Sequence, residues 1–187
     1  MVDPQPRSHR RLSLLGTFVL CAVSALVIAS SAGGAIRTVA FDDLPANTRV
    51  STEYQSSHGV AFVSDEGVRP VVKSSPSQAH SGDKIGVYSC EGLLGCGEGF
   101  PPPQLRGTLT TTATSVSAYV GFWAGPAGTP TGDSFMVRIR AYNSSDVVIA
   151  ESPYVTVVDS AALTQQVTAT ASGGESIAYF DVTADAG

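Results

Sequence analysis

Ser115-Val116-Ser117-Ala118-Tyr119-Val120-Gly121-Phe122-Trp123 and Ser134-Phe135-Met136-Val137-Arg138-Ile139-Arg140-Ala141-Tyr142 decide the fold class. In the first stretch Val116, Ala118, Val120 and Phe122 point one way, and Ser115, Ser117, Tyr119 and Trp123 point the other. In the second, Phe135, Val137, Ile139 and Ala141 oppose Met136, Arg138, Arg140 and Tyr142. Side chains alternate across a strand, so a period of two means a sheet with one buried and one wet face. The Gly/Pro-rich segment 124–133 between them is a surface loop.

Outward from these stretches the same grammar continues. No segment after residue 35 keeps the i, i+3, i+4, i+7 apolar spacing of an amphipathic helix over three turns; short apolar runs alternate with Gly, Pro, Ser and Asn. The pattern predicts strands over 37–41, 59–63, 68–72, 84–88, 107–112, 115–123, 134–142, 146–150, 154–158, 163–170 and 176–182. Asn143-Ser144-Ser145-Asp146 reads as a hairpin turn, and Phe100-Pro101-Pro102-Pro103 as a stiff connector. The expectation is one all-β domain, an antiparallel β-sandwich.

The N-terminus reads differently. Arg7, Arg10 and Arg11 precede an uncharged, apolar run over 12–29, and the small residues Ser30, Ser31, Ala32, Gly33 and Gly34 follow. That order is the order of a secretory signal peptide, with cleavage after Ala32. The division expected is signal peptide 1–32 and β-sandwich domain 33–187, placing the protein outside the cell or in the envelope. An uncleaved membrane anchor is the alternative and would be its only link to a membrane, since such a run can just span a bilayer. Arg10-Arg11 leaves the choice between the general and the twin-arginine export routes open.

Composition narrows the function classes. The 187 residues carry 11 Lys+Arg against 16 Asp+Glu, a formal charge of -5, with 14% charged and 43% hydrophobic residues. Without 1–32 the balance is 8 to 15, or -7. Gripping a phosphate backbone needs clustered positive charge, so a nucleic-acid partner is not expected. Cys90 and Cys96, in a Gly-rich stretch, are expected to join as a disulfide in an oxidising compartment. A thiol metal site is the alternative, although no second cysteine pair or histidine cluster completes four ligands.

Phe41-Asp42-Asp43-Leu44-Pro45, Val50-Ser51-Thr52-Glu53-Tyr54 and Gly59-Val60-Ala61-Phe62 resemble the opening of a group of secreted bacterial β-sandwich domains. There a Phe-Asp-Asp strand precedes Tyr-x-x-x-Gly-Val-x-Phe. Residues 116–121, 140–149 and 177–180 are similar to later strands of that group, so the resemblance spans most of 33–187. It implies a jelly roll of the galactose-binding-like kind, similar to carbohydrate-binding modules. Relatives close with a strand bearing a paired acidic motif; Ala184-Asp185-Ala186-Gly187 lacks it.

Three constellations follow. Asp42, Asp43, Glu53 and Asp181 are hard oxygen donors placed near the two ends of the domain, and their convergence would suit a structural calcium ion, the only cofactor expected. The alternative is that the acidic pair bonds nearby backbone N–H groups in a turn. Trp123, Tyr119 and Tyr142, on outward faces, could stack on sugar rings while Asp133, Arg138 and Arg140 bond hydroxyls; otherwise Trp123 covers the edge of the core. Tyr88 and Phe100 could play that part on another rim. For catalysis the domain offers His58 and His80; His80-Ser81-Gly82-Asp83 has the residue types of a hydrolytic triad but reads as a turn. No Gly-x-Ser-x-Gly elbow, His-Glu-x-x-His motif or phosphate loop is present. The expectation is therefore a non-enzymatic module binding a polysaccharide or cell-surface glycan. A structural or protein-interaction domain and a secreted hydrolase are the alternatives.

Overall fold

The computed structural model describes residues 21–29, 36–62, 69–88, 104–122, 134–158 and 162–186. Cys90, Cys96, Phe100, Trp123 and Asp133 lie outside the described residues, as does the expected cleavage site at Ala32. Two antiparallel sheets face each other across one apolar core, so the fold is an all-β sandwich.

Sheet A is built on β1 (Cys21–Ala29), with β2 (Arg37–Val39), β4 (Val71–Ser74), β5 (Lys84–Tyr88), β7 (Ser115–Phe122) and β11 (Gln165–Thr170), in the order β11-β7-β1-β5-β4. Along its second edge β1 meets β5 through 21–23 and then β2 through 26–28. Sheet B contains β3 (Val60–Ala61), β6 (Gln104–Ala113), β8 (Ser134–Tyr142), β9 (Val148–Glu151), β10 (Val155–Val158) and β12 (Ile177–Ala186), in the order β10-β8-β12-β6-β3, with β9 also on β8. A single helical turn, α1 (Gln55–His58), ends on Gly59 in the left-handed region.

The alternation read from 115–123 and 134–142 holds wherever side chains are described. Val116, Ala118 and Val120 enter the core from β7, and Phe135, Val137, Ile139 and Ala141 enter from β8. Phe180 on β12 stands opposite Gly107 and Ala141, and a Cβ at Gly107 would lie 2.2 Å from its ring. Glycine is required there because the aromatic ring occupies the space of any side chain. At Asn143 the expected hairpin turn forms: its Oδ1 accepts N–H bonds from Ser145 and Val147, and Asp146 takes φ 60.

The largest difference from the sequence reading concerns 21–29. This segment lies inside the expected signal peptide, yet here it forms the central strand of sheet A. It pairs from Cys21↔Phe122 to Ala29↔Ser115 on β7, with a bulge between Val23 and Ala25. Val23, Leu26 and Ile28 face the core, while Ala22 joins a smaller cluster with Ile85, Val87 and Leu163. An apolar run of this length suits a buried strand as well as an export signal, because hydropathy carries no period when both faces are covered.

Candidate functional site

The Phe-Asp-Asp motif is a latch. Phe41 is fully buried at φ 65, a conformation that strains a bulky residue, with its ring against Tyr54 and Phe62. Asp42 then turns toward the start of β5. Its Oδ1 accepts the backbone N–H groups of Asp83 and Lys84, both at 3.0 Å, and its carbonyl accepts Lys84 Nζ at 2.6 Å. Gly82 at φ 67 leaves room for that carboxylate, since a Cβ would lie 2.0 Å from Oδ2. Asp43 Oδ1 accepts the Tyr54 hydroxyl, and the Glu53 carboxylate accepts the Ser51 N–H. Burial, followed by the Asp43 and Asp42 carboxylates, pushes the Tyr54 phenol far above its usual range.

These three carboxylates thus serve the loop over 41–54, whereas Asp181 sits on β12 with other partners. Among the described residues no group of three His, Cys, Asp or Glu side chains gathers as a metal-ligand set.

The aromatic candidates separate as well. Tyr119 lies on the outer face of sheet A, where His80 stacks on it at 3.4 Å between centroids and 11° between planes. Tyr88 is buried in the core, not on a rim. Tyr142, Arg138 and Arg140 instead share the outer face of sheet B, set there by the alternation of β8.

Around them the register builds a polar grid. Asp181 stands between Arg106 on β6 and Arg140 on β8, and Tyr179 stands beside Tyr142. The two tyrosine rings stack at 4.5 Å and 8°. Arg106 lies over Tyr179, 4.7 Å from its centroid, while its Nε and Nη2 donate to Asp181 Oδ1 and Oδ2 at 2.7 and 2.8 Å. The Asp181 side chain is only 2% exposed, against 34% for Arg106. On the other flank Glu151 takes Arg140 Nε at 2.9 Å and Arg138 Nη1 at 3.0 Å. Arg138 also covers the Tyr154 ring at 4.4 Å.

The ion pair holds the Arg106 guanidinium above its ordinary range, with the Asp181 hydrogen bonds outweighing partial burial. Burial and then the Asp181 charge raise the Tyr142 phenol; burial and then a hydrogen bond with Asp146 raise Tyr179. Both rings stay neutral at physiological pH; with Tyr179 held between Tyr142 and Arg106, the grid offers the Tyr142 ring, guanidinium donors and carboxylate acceptors.

Sequence reasoning did not single out Tyr179, Arg106 or Glu151. Tyr179 and Asp181 alternate with Phe180 and Val182, and Arg106 lies between Leu105 and Gly107; both patterns mark outward positions. What brings them beside Tyr142 is strand order, which alternation does not encode. No protein-family model, curated protein or solved structure matches this chain.

Proposed function

We propose that this protein is an exported, non-enzymatic binding module of the jelly-roll, galactose-binding-like kind, and that it receives a polysaccharide or cell-surface glycan on the outer face of sheet B. The observation that carries this reading is the Tyr142–Tyr179 stack, two residues along the strands from the Arg106–Asp181–Arg140 row, with Arg106 lying over Tyr179. A sugar ring would lay its C–H face on the Tyr142 ring, which Tyr179 backs, and guanidinium N–H groups would donate to its hydroxyls while Glu151 accepts. Because Asp181 and Glu151 already hold the arginines, ligand binding orders few side chains, and preorganisation of that kind favours affinity.

A hydrolytic role has less support. His80 is stacked on Tyr119, and His58 is engaged by Ser57 and Tyr54. The reading also needs no calcium, since Asp42, Asp43 and Glu53 each accept a hydrogen bond from the protein itself.

The test is a glycan array followed by calorimetry on the hits. Tyr142→Ala and Tyr179→Ala should each weaken binding by about 1 kcal/mol, roughly fivefold in Kd. No hit on the array, or hits indifferent to both substitutions, would remove the assignment.

One observation favours a second reading, a protein-interaction domain of the envelope. Val148 and Val158 are exposed on β9 and β10, beside the exposed Val147 and Tyr154, and both strands lie along one edge of sheet B. Edges with exposed apolar residues invite pairing. A dimer seen by analytical ultracentrifugation and dispersed by Val148→Lys would support that version.

A further inference from the structure

Along β12 the outward residues include Tyr179, Asp181 and Thr183, because Phe180, Val182 and Ala184 enter the core between them. Thr183 is nonetheless only 5% exposed, and its hydroxyl has no hydrogen-bond partner among the described residues. Directly opposite it stand Gln104 on β6 and Arg138 on β8. The Nε atom of Arg138 is likewise buried without a partner among the described residues. A sealed donor without an acceptor is costly, and here two of them belong to facing residues of adjacent strands.

The neighbouring row shows what such a place can hold. Asp181 stands between Arg106 and Arg140, and its two oxygens accept Arg106 Nε at 2.7 Å and Nη2 at 2.8 Å. Thr183 has the same place between Gln104 and Arg138, with a hydroxyl where the other row has a carboxylate. Arg138 does donate from Nη1 to Glu151 at 3.0 Å, but Glu151 also takes Arg140 Nε at 2.9 Å. One carboxylate thus divides its charge between two guanidinium groups on this flank, and the acceptor that matches the remaining donors is an anion.

We infer that Arg138 and Thr183 form a subsite for a carboxylate, and that the glycan received on sheet B is an acidic one, a chain carrying uronate groups. The inference rests on the glycan reading proposed above and narrows its ligand class. A carboxylate oxygen of the ligand accepts from Arg138 Nε and Thr183 Oγ1, and the charge on the guanidinium strengthens that contact. Tyr142 lies four residues from Arg138 on β8, about 14 Å at the rise of a strand. A ligand reaching both is therefore an oligosaccharide laid along the strands, with its acid group at the Arg138 end. Both donors are sealed from solvent, so entry requires a side chain to turn. Tyr154 is placed to do so, since it covers the Arg138 guanidinium at 4.4 Å and is itself 40% exposed. With a formal charge of -5 the chain does not draw anions from a distance, so selectivity rests on these contacts.

The experiment is calorimetry on the full chain with oligomers of galacturonate, glucuronate and mannuronate, each beside its methyl ester, which keeps the sugar and removes the charge. The expected result is at least one acid oligomer bound roughly tenfold more tightly than its ester. Thr183→Val should remove most of that preference while leaving Tm unchanged or raised, because it replaces an unmatched hydroxyl by a methyl group. Arg138→Lys keeps the charge, loses the planar fork and should lose the preference as well. Acid and ester bound equally would overturn the inference and leave the glycan reading standing, whereas binding of neither would remove both. A preference for the acid that survives both substitutions would also overturn it, as would a clear fall in Tm in Thr183→Val, which would mean that the hydroxyl already serves the fold.

Discussion

Replacing Asp181 by Asn keeps the shape of the side chain and removes its charge. In the folded protein this carboxylate is almost sealed from water and receives two N–H bonds from Arg106 at 2.7 and 2.8 Å. Breaking a fully buried ion pair costs about 3–5 kcal/mol. Here Arg106 is 34% exposed, so water recovers part of that loss. A cost of about 2 kcal/mol is expected, within the range of hydrogen bonds to charged groups. For a domain of this size that corresponds to a fall in Tm of roughly 4–8 °C. Scanning calorimetry measures it, with a double-mutant cycle through Arg106→Met isolating the coupling. A second readout comes from Tyr142, whose phenol is raised first by burial and next by the Asp181 charge. In Asp181→Asn its midpoint, read by ultraviolet difference titration against Tyr142→Phe, should move down. A variant that melts within about 1 °C of the parent, with the Tyr142 titration unmoved, would refute the account of Asp181 as the electrostatic centre of the face.

Other expectations follow from the same contacts. The raised phenols of Tyr54, Tyr142 and Tyr179 contribute stability that is complete below the ordinary phenol value of 10.0 and is lost as pH climbs through their folded values. Chemical denaturation at increasing alkalinity should therefore show stability falling above that pH, and a Tyr54→Phe variant should show a shallower fall. Gly107→Ala drives a methyl group into the Phe180 ring and should cost about 1–3 kcal/mol, read as a lower urea midpoint at unchanged slope. Asp42→Ala orphans the N–H groups of Asp83 and Lys84 and should cost about 1–3 kcal/mol. A chelator, by contrast, should leave the melting temperature of the parent protein unchanged; a calcium-dependent rise would show that the latch carboxylates also bind metal.

Local grammar was legible in the sequence to different depths. The bounds of β5 and β8 agree with the periodic reading, because each alternates cleanly or stops at a turn. The sandwich class followed from the same alternation. β12 runs past the expected end at Val182 because Ala184, Asp185 and Ala186 continue the ladder on Val137, Met136 and Phe135, a pairing that local pattern does not reveal. Tyr119 and Tyr142 looked equivalent as outward aromatic residues, yet they belong to opposite sheets. Asp42 and Asp43 were read as ion ligands or as turn formers bonding nearby N–H groups; their contacts are instead long-range, Asp42 reaching the N–H groups of Asp83 and Lys84 and Asp43 the Tyr54 hydroxyl, which local sequence does not reveal. That 21–29 forms a strand was not legible for a physical reason: a mostly apolar run has the same hydropathy in a lipid-seeking helix and in a strand covered on both faces.

The position of β12 has a consequence for biogenesis. Residues 177–186 lie between β6 and β8 and are hydrogen-bonded to both, so sheet B cannot close until residue 186 has left the ribosome. If the leading apolar segment is meanwhile held by the export machinery, sheet A lacks its middle as well. Long-range pairing of this kind is slow. The nascent polypeptide therefore cannot commit to its native shape until β12 is free to insert between its two neighbours.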